Sequence, residues 1–325
     1  MIVVTGANGF VGRYLVNQLI ENNYEVLAIT SSALNTQYFE EKNIPYEVVD
    51  ITDMELIEDR LPNTKVEAVI HLAALLRVEM GKYTPEQFLM VNGMGTYNML
   101  EYCRKNKIKK FIYSMTHSDI DGSADTIISP ETKREYTSSY EDGENVYPFI
   151  FGKMMGADLV LAYDRDRQIK NGLVYRISNI RGYGSRDTRY SCVFHNLIEK
   201  AMAGDDIEIW GKHKTFRDMI YVKDVVSALI AGIEKEKDVH GLYTIGSGTG
   251  TTIEDEVKAI VNAFSLEGRK SKIIYRPEIE EVRTKSTVFD ISKAKKDLNW
   301  SPLYSYEEAM KDYKKEMVYG MSKIS

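Results

Sequence analysis

The chain has 325 residues, a formal net charge of −6 and two cysteines, Cys103 and Cys192, far apart in sequence. That length suits one large α/β unit or two smaller ones. The acidic balance and the lack of a basic stripe exclude a protein built to grip nucleic acid. Two distant cysteines make neither a disulfide framework nor a zinc spacing, and the five histidines show no metal-ligand spacing. No apolar run approaches the roughly 20 residues of a membrane helix. The chain opens directly on a strand and a glycine turn with no charged leader, so a cytoplasmic protein is expected.

The first half alternates two periodicities. "IVVT" (2–5) is a short apolar run ending in glycines, hence a buried strand. "GFVGRYLVNQLIENN" follows with Val11, Leu15, Leu19 and Ile20 at helical spacing. "YEVLAIT" is a second strand, and "PYEVVD" a third after a polar helix near 34–43. "VEAVIHLAA", "KKFIYSM" and "GLVYRIS" are the fourth to sixth. The helical stretches "EQFLMVNGMGTYNMLEYCRKN" and "GKMMGADLVLAYDRDRQ" fall between them. Strands alternating with helices predict an α/β fold with a doubly wound parallel sheet. After about residue 177 the pattern loosens into a mixed α/β region. The helices "CVFHNLIEKAMAG", "VKDVVSALIAGIEKE", "DISKAKKDLNW" and "SYEEAMKDYKKEMVYG" and the strands "FRDMIYV" and "GLYTIG" lie there. The expected division is a dinucleotide-binding domain at 1–176 and a smaller substrate lobe at 177–325, with segments crossing between them.

"TGANGFVG" places Gly6, Gly9 and Gly12 between the first strand and the first helix. Gly6 permits a tight turn, Gly9 lets a pyrophosphate approach the backbone, and Gly12 lets the helix pack on the sheet with its N–H groups facing the anion. The spacing is three and three, not the two-then-three of the general dinucleotide fingerprint.

That spacing, with the segments that follow, resembles the extended short-chain dehydrogenase/reductase family of NAD(P)-dependent sugar-nucleotide epimerases, dehydratases and reductases. The likeness runs through "VVDITD" with Asp50 and Ile51, "HLAA" with Leu72, Ala73 and Ala74, and "VNGMGTYNMLEYC" with Asn92. It continues through "FIYSMT" ending on Thr116, "YRISNIRGYG" with Asn179, and "FRDMIYVKDV". The resemblance implies a Rossmann domain with Asn8, Phe10 and Val11 of the glycine turn, Thr30, Ser31, the Asp50–Ile51 segment and Lys153 beside the cofactor. It also implies a sugar-nucleotide substrate.

An acid at the end of the second strand would pair with a ribose 2′-hydroxyl and repel a 2′-phosphate. Here Thr30 takes its place, followed by Ser31 and Ser32. No carboxylate rejects NADP; hydroxyls can donate to a phosphate, and Arg13 at the start of the first helix is a candidate to help. NADP is therefore favoured over NAD, although no arginine follows Thr30 to clamp the phosphate.

Family members use a Ser or Thr, a Tyr and a Lys together. A lysine one helical turn beyond the tyrosine stabilises its phenolate, which exchanges a proton with the substrate oxygen while hydride moves to or from nicotinamide. Thr116 and Lys153 match this set, but the tyrosine position holds Phe149. Tyr147 is six residues from Lys153 and so on another helix face. Phe149 is read first as an engineered Tyr→Phe replacement that stops turnover while binding survives. A natural variant using another acid/base, with His117 and Tyr140 as candidates, and a natural nucleotide-binding pseudoenzyme stand beside that reading.

The 4,6-dehydratases that the chain resembles carry acids directly after the catalytic threonine. Here His117 and Ser118 follow Thr116, and Asp119 comes one place too late, which disfavours elimination. Two redox readings remain: reduction of a 4-keto sugar by NADPH, which Thr30 favours, and NAD-dependent 4-epimerisation. For the substrate, Arg217 and Arg283 fall where the family places diphosphate-binding arginines. Asn179, His195 and Asn196 are candidates to line the site, and Trp210 to flank the base. A homodimer through the helices at 85–106 and 147–169 is implied by the same likeness.

Overall fold

The computed structural model describes residues 1–325 except 35, 80, 136–146, 185–191, 213, 236–238, 267, 280–284 and 320–325. In chain order the first half runs β1 (Ile2–Thr5), α1 (Phe10–Glu21), β2 (Val26–Thr30), α2 (Gln37–Glu41), β3 (Tyr46–Val48), α3 (Met54–Arg60) and β4 (Ala68–His71). It continues through α4 (Pro85–Leu89), α5 (Gly95–Lys105), β5 (Lys110–Met115), β6 (Ile127–Ile128), α6 (Tyr147–Arg165) and β7 (Asn171–Ile177). Beyond it lie β8 (Asn179–Arg181), α7 (Cys192–Ala203), β9 (Ile207–Trp210), β10 (Phe216–Tyr221), α8 (Val222–Glu234) and β11 (Gly241–Ile245). The C-terminal part adds β12 (Gly250–Thr252), α9 (Ile253–Phe264), β13 (Ile273–Arg276), β14 (Val288–Phe289), α10 (Ser292–Leu298) and α11 (Tyr306–Tyr319).

Seven parallel strands form the main sheet in the order β11-β7-β5-β4-β1-β2-β3. β1, β4 and β7 are buried along their whole length. Helices cover both faces, so these strands read as unbroken apolar runs without alternation. One face packs Leu15, Val16 and Leu19 of α1 with Val225 and Leu229 of α8, and joins them to Ile260, Phe264 and Tyr313 of the C-terminal region. The other packs Ile57 of α3, Leu100 and Cys103 of α5, and Ala157 and Val160 of α6. Strand order reverses between β1 and β4. Their carboxyl ends therefore open a crevice at the switch point, where ligands bind in open α/β sheets.

Two features of this frame exceed the sequence reading. β11 returns from the second half of the chain to the edge of the main sheet beside β7. The long helix expected over 86–106 is interrupted by a π-helical turn, Met90–Met94, which carries Asn92. The amphipathic α9 is started by a capping box between Thr252 and Asp255, a signal present in "TTIEDE".

Candidate active site

The turn after β1 is shaped by backbone contacts. Gly6 has φ +66, and a Cβ there would lie 2.7 Å from the amide N of Ala73. The turn thus presses directly on the loop after β4, which only glycine allows. Gly9 is the N-cap of α1, with no side-chain cap and no acid in the first turn. The helix presents uncapped N–H groups and its positive pole to the crevice, which fits the pyrophosphate of a dinucleotide.

The facing loop, Leu72–Ala74, is held by side chains that sit behind it. The Ala73 N–H donates to Thr5 Oγ1 at 3.2 Å, and Thr5 Oγ1 lies 2.7 Å from His71 Nδ1. His71 Nε2 lies 3.2 Å from Thr96 Oγ1, whose hydroxyl donates to the Asn92 carbonyl at 2.8 Å. Since the Thr96 hydrogen is committed, His71 donates from Nε2 and accepts at Nδ1, and so is neutral. Full burial, with Lys153 adding to it, pushes this imidazole down to about 3. Asn92 completes the clamp: its side chain accepts from the Leu75 N–H at 2.8 Å and donates to the Leu75 carbonyl at 2.9 Å. Thr5, His71 and Thr96 were missed as positioning residues in the sequence reading; the histidine of "HLAA" was their only visible trace.

Asn98 donates to the Ile51 carbonyl and fixes the Asp50–Ile51 segment. Asp50 Oδ1 accepts from the Thr52 N–H and hydroxyl. Thr30 is buried, and its hydroxyl donates to the Ser32 carbonyl at 3.2 Å, while Ser31 is exposed. Arg13 is also buried. Nε and Nη2 both donate to Asn8 Oδ1, the guanidinium lies over the Tyr38 ring, and Asn8 in turn donates to the Leu34 carbonyl. Arg13 ion-pairs with no acid among the described residues.

Helix α6 lies close against α4 and the π turn. A Cβ on Gly152 would meet the Phe88 carbonyl oxygen at 2.8 Å, and one on Gly156 the Tyr113 hydroxyl at 2.5 Å. These two glycines let Lys153 turn inward. It is 4 % exposed, with Nζ 4.3 Å from the centroid of the Tyr113 ring, which itself stacks on His71. Burial brings the Lys153 ammonium down to about 7. Phe149 is 6 % exposed and packs with Phe88, Ile150, Leu75 and Tyr83. Tyr147 stacks instead on Phe151, a half-exposed ring. Thr116 follows β5 and is partly exposed, its Oγ1 accepting from the Ser118 N–H at 3.1 Å. Tyr140 and Arg283 lie outside the described residues.

Asp119 is fully buried. Arg176 donates to Oδ2 at 2.7 Å, Arg134 lies 3.6 Å from the same oxygen, and Arg176 also donates to the Ser129 carbonyl. Burial raises the Asp119 carboxyl and the Arg176 charge opposes the rise. The carboxylate is buried in an ion pair through Oδ2, while Oδ1 has no hydrogen-bond partner among the described residues.

The substrate-side candidates are spread over several elements. Asn179 on β8 donates to the Asp218 carbonyl of β10 at 3.2 Å. Arg217 is exposed on β10, beside the buried hub Asp218, which accepts from Ser178, Ser247, Gly248 and Phe289. His195 is partly exposed and Asn196 exposed on α7. Trp210 is 47 % exposed, with its indole donating to Glu208; the core tryptophan is Trp300.

The sequence matches the NAD dependent epimerase/dehydratase family over residues 2–246. The chain belongs to that family. It is 26% identical to, and superposes with TM-score 0.78 on, a UDP-glucose 4-epimerase from Thermotoga maritima solved with UDP-glucose, covering 98% of this chain and 99% of that one. A UDP-glucose 4-epimerase from Thermus thermophilus, solved with NAD, shares the fold at 21% identity and TM-score 0.75, over 98% of this chain and 99% of that one. A UDP-N-acetyl-alpha-D-glucosaminuronate decarboxylase from Bacillus cytotoxicus is 26% identical over 324 residues, 95% of each chain. The family is one of enzymes acting on sugar nucleotides with a nicotinamide cofactor, and its reactions diverge on a common fold. Among the described residues no helix is long and apolar enough to cross a membrane, and no cluster of metal-ligating side chains occurs.

Proposed function

We propose that this chain is an NAD(P)-dependent oxidoreductase of sugar nucleotides that works as a 4-epimerase. The observation that carries this reading is a buried, ion-paired acid, Asp119, together with a Thr116 and a Lys153 that are retained although Phe149 lacks the phenol. In this reading Lys153 and Thr116 serve the hydride chemistry, while Asp119, paired with Arg176, is not offered to an elimination of water. The end-to-end likeness to the Thermotoga UDP-glucose 4-epimerase supports it. When bound, the nicotinamide supplies a hydride acceptor and donor. The chain's own residues hold the pyrophosphate at the α1 N-terminus, orient the sugar oxygen at Thr116, and place a cation at Lys153. Asn179, His195, Asn196, Trp210, Arg217 and Arg283 are the proposed sugar-nucleotide contacts.

A second reading, a 4-keto-sugar reductase using NADPH, is favoured by the adenosine end. Thr30 replaces the acid that would repel a 2′-phosphate, and Arg13 places an acid-free cation beneath the following loop. Mass spectrometry of the small molecules released by heat separates the two. Stoichiometric NAD is the epimerase result, since a cofactor recycled in place must stay bound. NADP, or an empty site that takes up NADPH reversibly, is the reductase result. Failure to bind any nicotinamide nucleotide would sink both.

The same reading includes a homodimer. Leu89, Met90 and Tyr97 on the α4–α5 helix and Phe151 and Met155 on α6 are 36–41 % exposed, an apolar stripe on adjacent helices. Met155→Glu is expected to shift the protein from dimer to monomer in sedimentation experiments; an unchanged mass would refute this assembly.

A further inference from the structure

Phe149 leaves the substrate hydroxyl without a phenol to take its proton. The neighbouring groups are largely unsuited to replace it. Asp119 is sealed in its ion pair and Tyr147 stacks on Phe151. Lys153 is buried over Tyr113. His117 differs from all three.

His117 directly follows Thr116 at the carboxyl end of β5. Its Nδ1 lies 3.1 Å from the carbonyl oxygen of Ile177, at the carboxyl end of the neighbouring strand β7. A carbonyl can only accept, so Nδ1 carries the hydrogen and the neutral ring keeps its lone pair on Nε2. The ring meets Phe289 of β14 edge to face, with centroids 6.5 Å apart. The imidazole is thus fixed on two sides, by the main sheet and by β14 of the C-terminal region, just beyond the carboxyl end of β5. It is partly exposed, and Nε2 has no hydrogen-bond partner among the described residues. A backbone carbonyl that sets the tautomer and leaves an open basic nitrogen is the arrangement a general base needs.

We propose that His117 is the proton carrier of this chain. On oxidation of the bound sugar, the O–H and C–H bonds at the reacting carbon break and a C=O bond forms. The proton goes to His117 Nε2, giving an imidazolium whose Nδ1–H stays on Ile177. The hydride, with both bonding electrons, passes to the oxidised nicotinamide nucleotide. Reduction of the ketone reverses each transfer. This inference rests on the sugar-nucleotide reading and names the residue that does the work of the missing phenol.

The test compares the chain as it stands with His117→Ala, Phe149→Tyr and the double variant. UDP-glucose, UDP-galactose, UDP-N-acetylglucosamine and UDP-glucuronate are supplied with NAD or NADP, and product sugars and reduced nicotinamide are measured. Turnover by the unmodified chain is expected, with kcat falling about 10²- to 10⁴-fold in His117→Ala. Cofactor affinity should hold, and Phe149→Tyr should restore turnover to the His117→Ala protein. Independently of activity, long-range ¹⁵N–¹H spectra of the histidines, assigned with His117→Gln, should show the Nδ1-protonated tautomer and an Nε2 resonance that moves when a UDP-sugar binds. Wild-type kcat in His117→Ala, or an Nε2-protonated ring, would overturn the proposal. An inert chain whose Phe149→Tyr variant turns over would overturn it while leaving the sugar-nucleotide reading intact. Inertness of both would overturn that reading and this inference with it.

Discussion

At the pyrophosphate end of the crevice, the surface offered to a ligand is backbone: the glycine turn, the α1 N–H groups and the Leu72–Ala74 loop. The side chains that matter there, Thr5, His71, Thr96 and Asn92, stand behind the surface and fix it. At the proposed reacting end the groups are side chains, with Thr116 and His117 just after β5 and the buried Phe149 and Lys153 on α6. A backbone-built end tolerates little change, because its shape depends on several buried groups at once. A side-chain-built end can change its chemistry one atom at a time, as Phe149 does in lacking a single hydroxyl. On the proposed function, cofactor binding and proton transfer are expected to be separable in this chain, and the following substitutions press on that separation.

The largest effect is expected from Gly12→Val. A Cβ there would lie 2.2 Å from the Gly6 carbonyl oxygen, so the turn cannot keep its shape. Nucleotide binding should be abolished in a titration, and retention of tight binding would show that the turn is not the cradle. Next is Asp119→Ala, which leaves the 1 % exposed Arg176 without its carboxylate. Breaking such a buried pair costs about 3–5 kcal/mol. Urea unfolding should show that loss, while the folded fraction binds nucleotide normally.

Asn92→Ala should cost about 1–3 kcal/mol for each Leu75 group left unpaired. Unlike Asp119→Ala, it should also weaken nucleotide affinity, because the Leu72–Ala74 loop loses an anchor. Equal affinities in the two variants would remove the distinction between framework and cradle.

Lys153→Met addresses the other end. The folded protein holds this ammonium at about 7 against 10.5 for an ordinary lysine. Between those values the unfolded chain binds more protons, so the group's contribution makes stability rise with pH, by up to about 1.4 kcal/mol per pH unit. Below about pH 7 that contribution is flat. Thermal melting across this window should show a shallower slope in Lys153→Met; an unchanged slope would mean that Lys153 is not the titrating group. The smallest effect on the fold is expected from Trp210→Ala. The exposed indole should change stability by no more than about 0.5 kcal/mol. UDP-sugar affinity should still fall in calorimetry if the ring flanks the base.

Much of the frame was legible. Apolar runs bounded by glycines marked the strands, and helical spacing marked α1, α5, α6 and α8, because burial on both sheet faces demands those patterns. The glycine turn was legible because close backbone approach leaves few residue types to choose from. The π turn was not; the Asn92 it carries bonds Leu75 across 17 residues, a contact with no local signature. Nor was the role of Gly152 and Gly156, whose missing side chains matter only because α4, the π turn and Tyr113 pack there.

By itself, then, the sequence determined the doubly wound sheet and the glycine turn after its first strand, and it proposed Thr116, Phe149 and Lys153 as the reacting set. Only the tertiary structure decided what those residues face. It sealed Asp119 against Arg176, turned Lys153 onto Tyr113, and set His117 against the Ile177 carbonyl. Local periodicity records which side of an element is buried. The partner a buried polar group meets comes from a distant strand, and no local pattern encodes it.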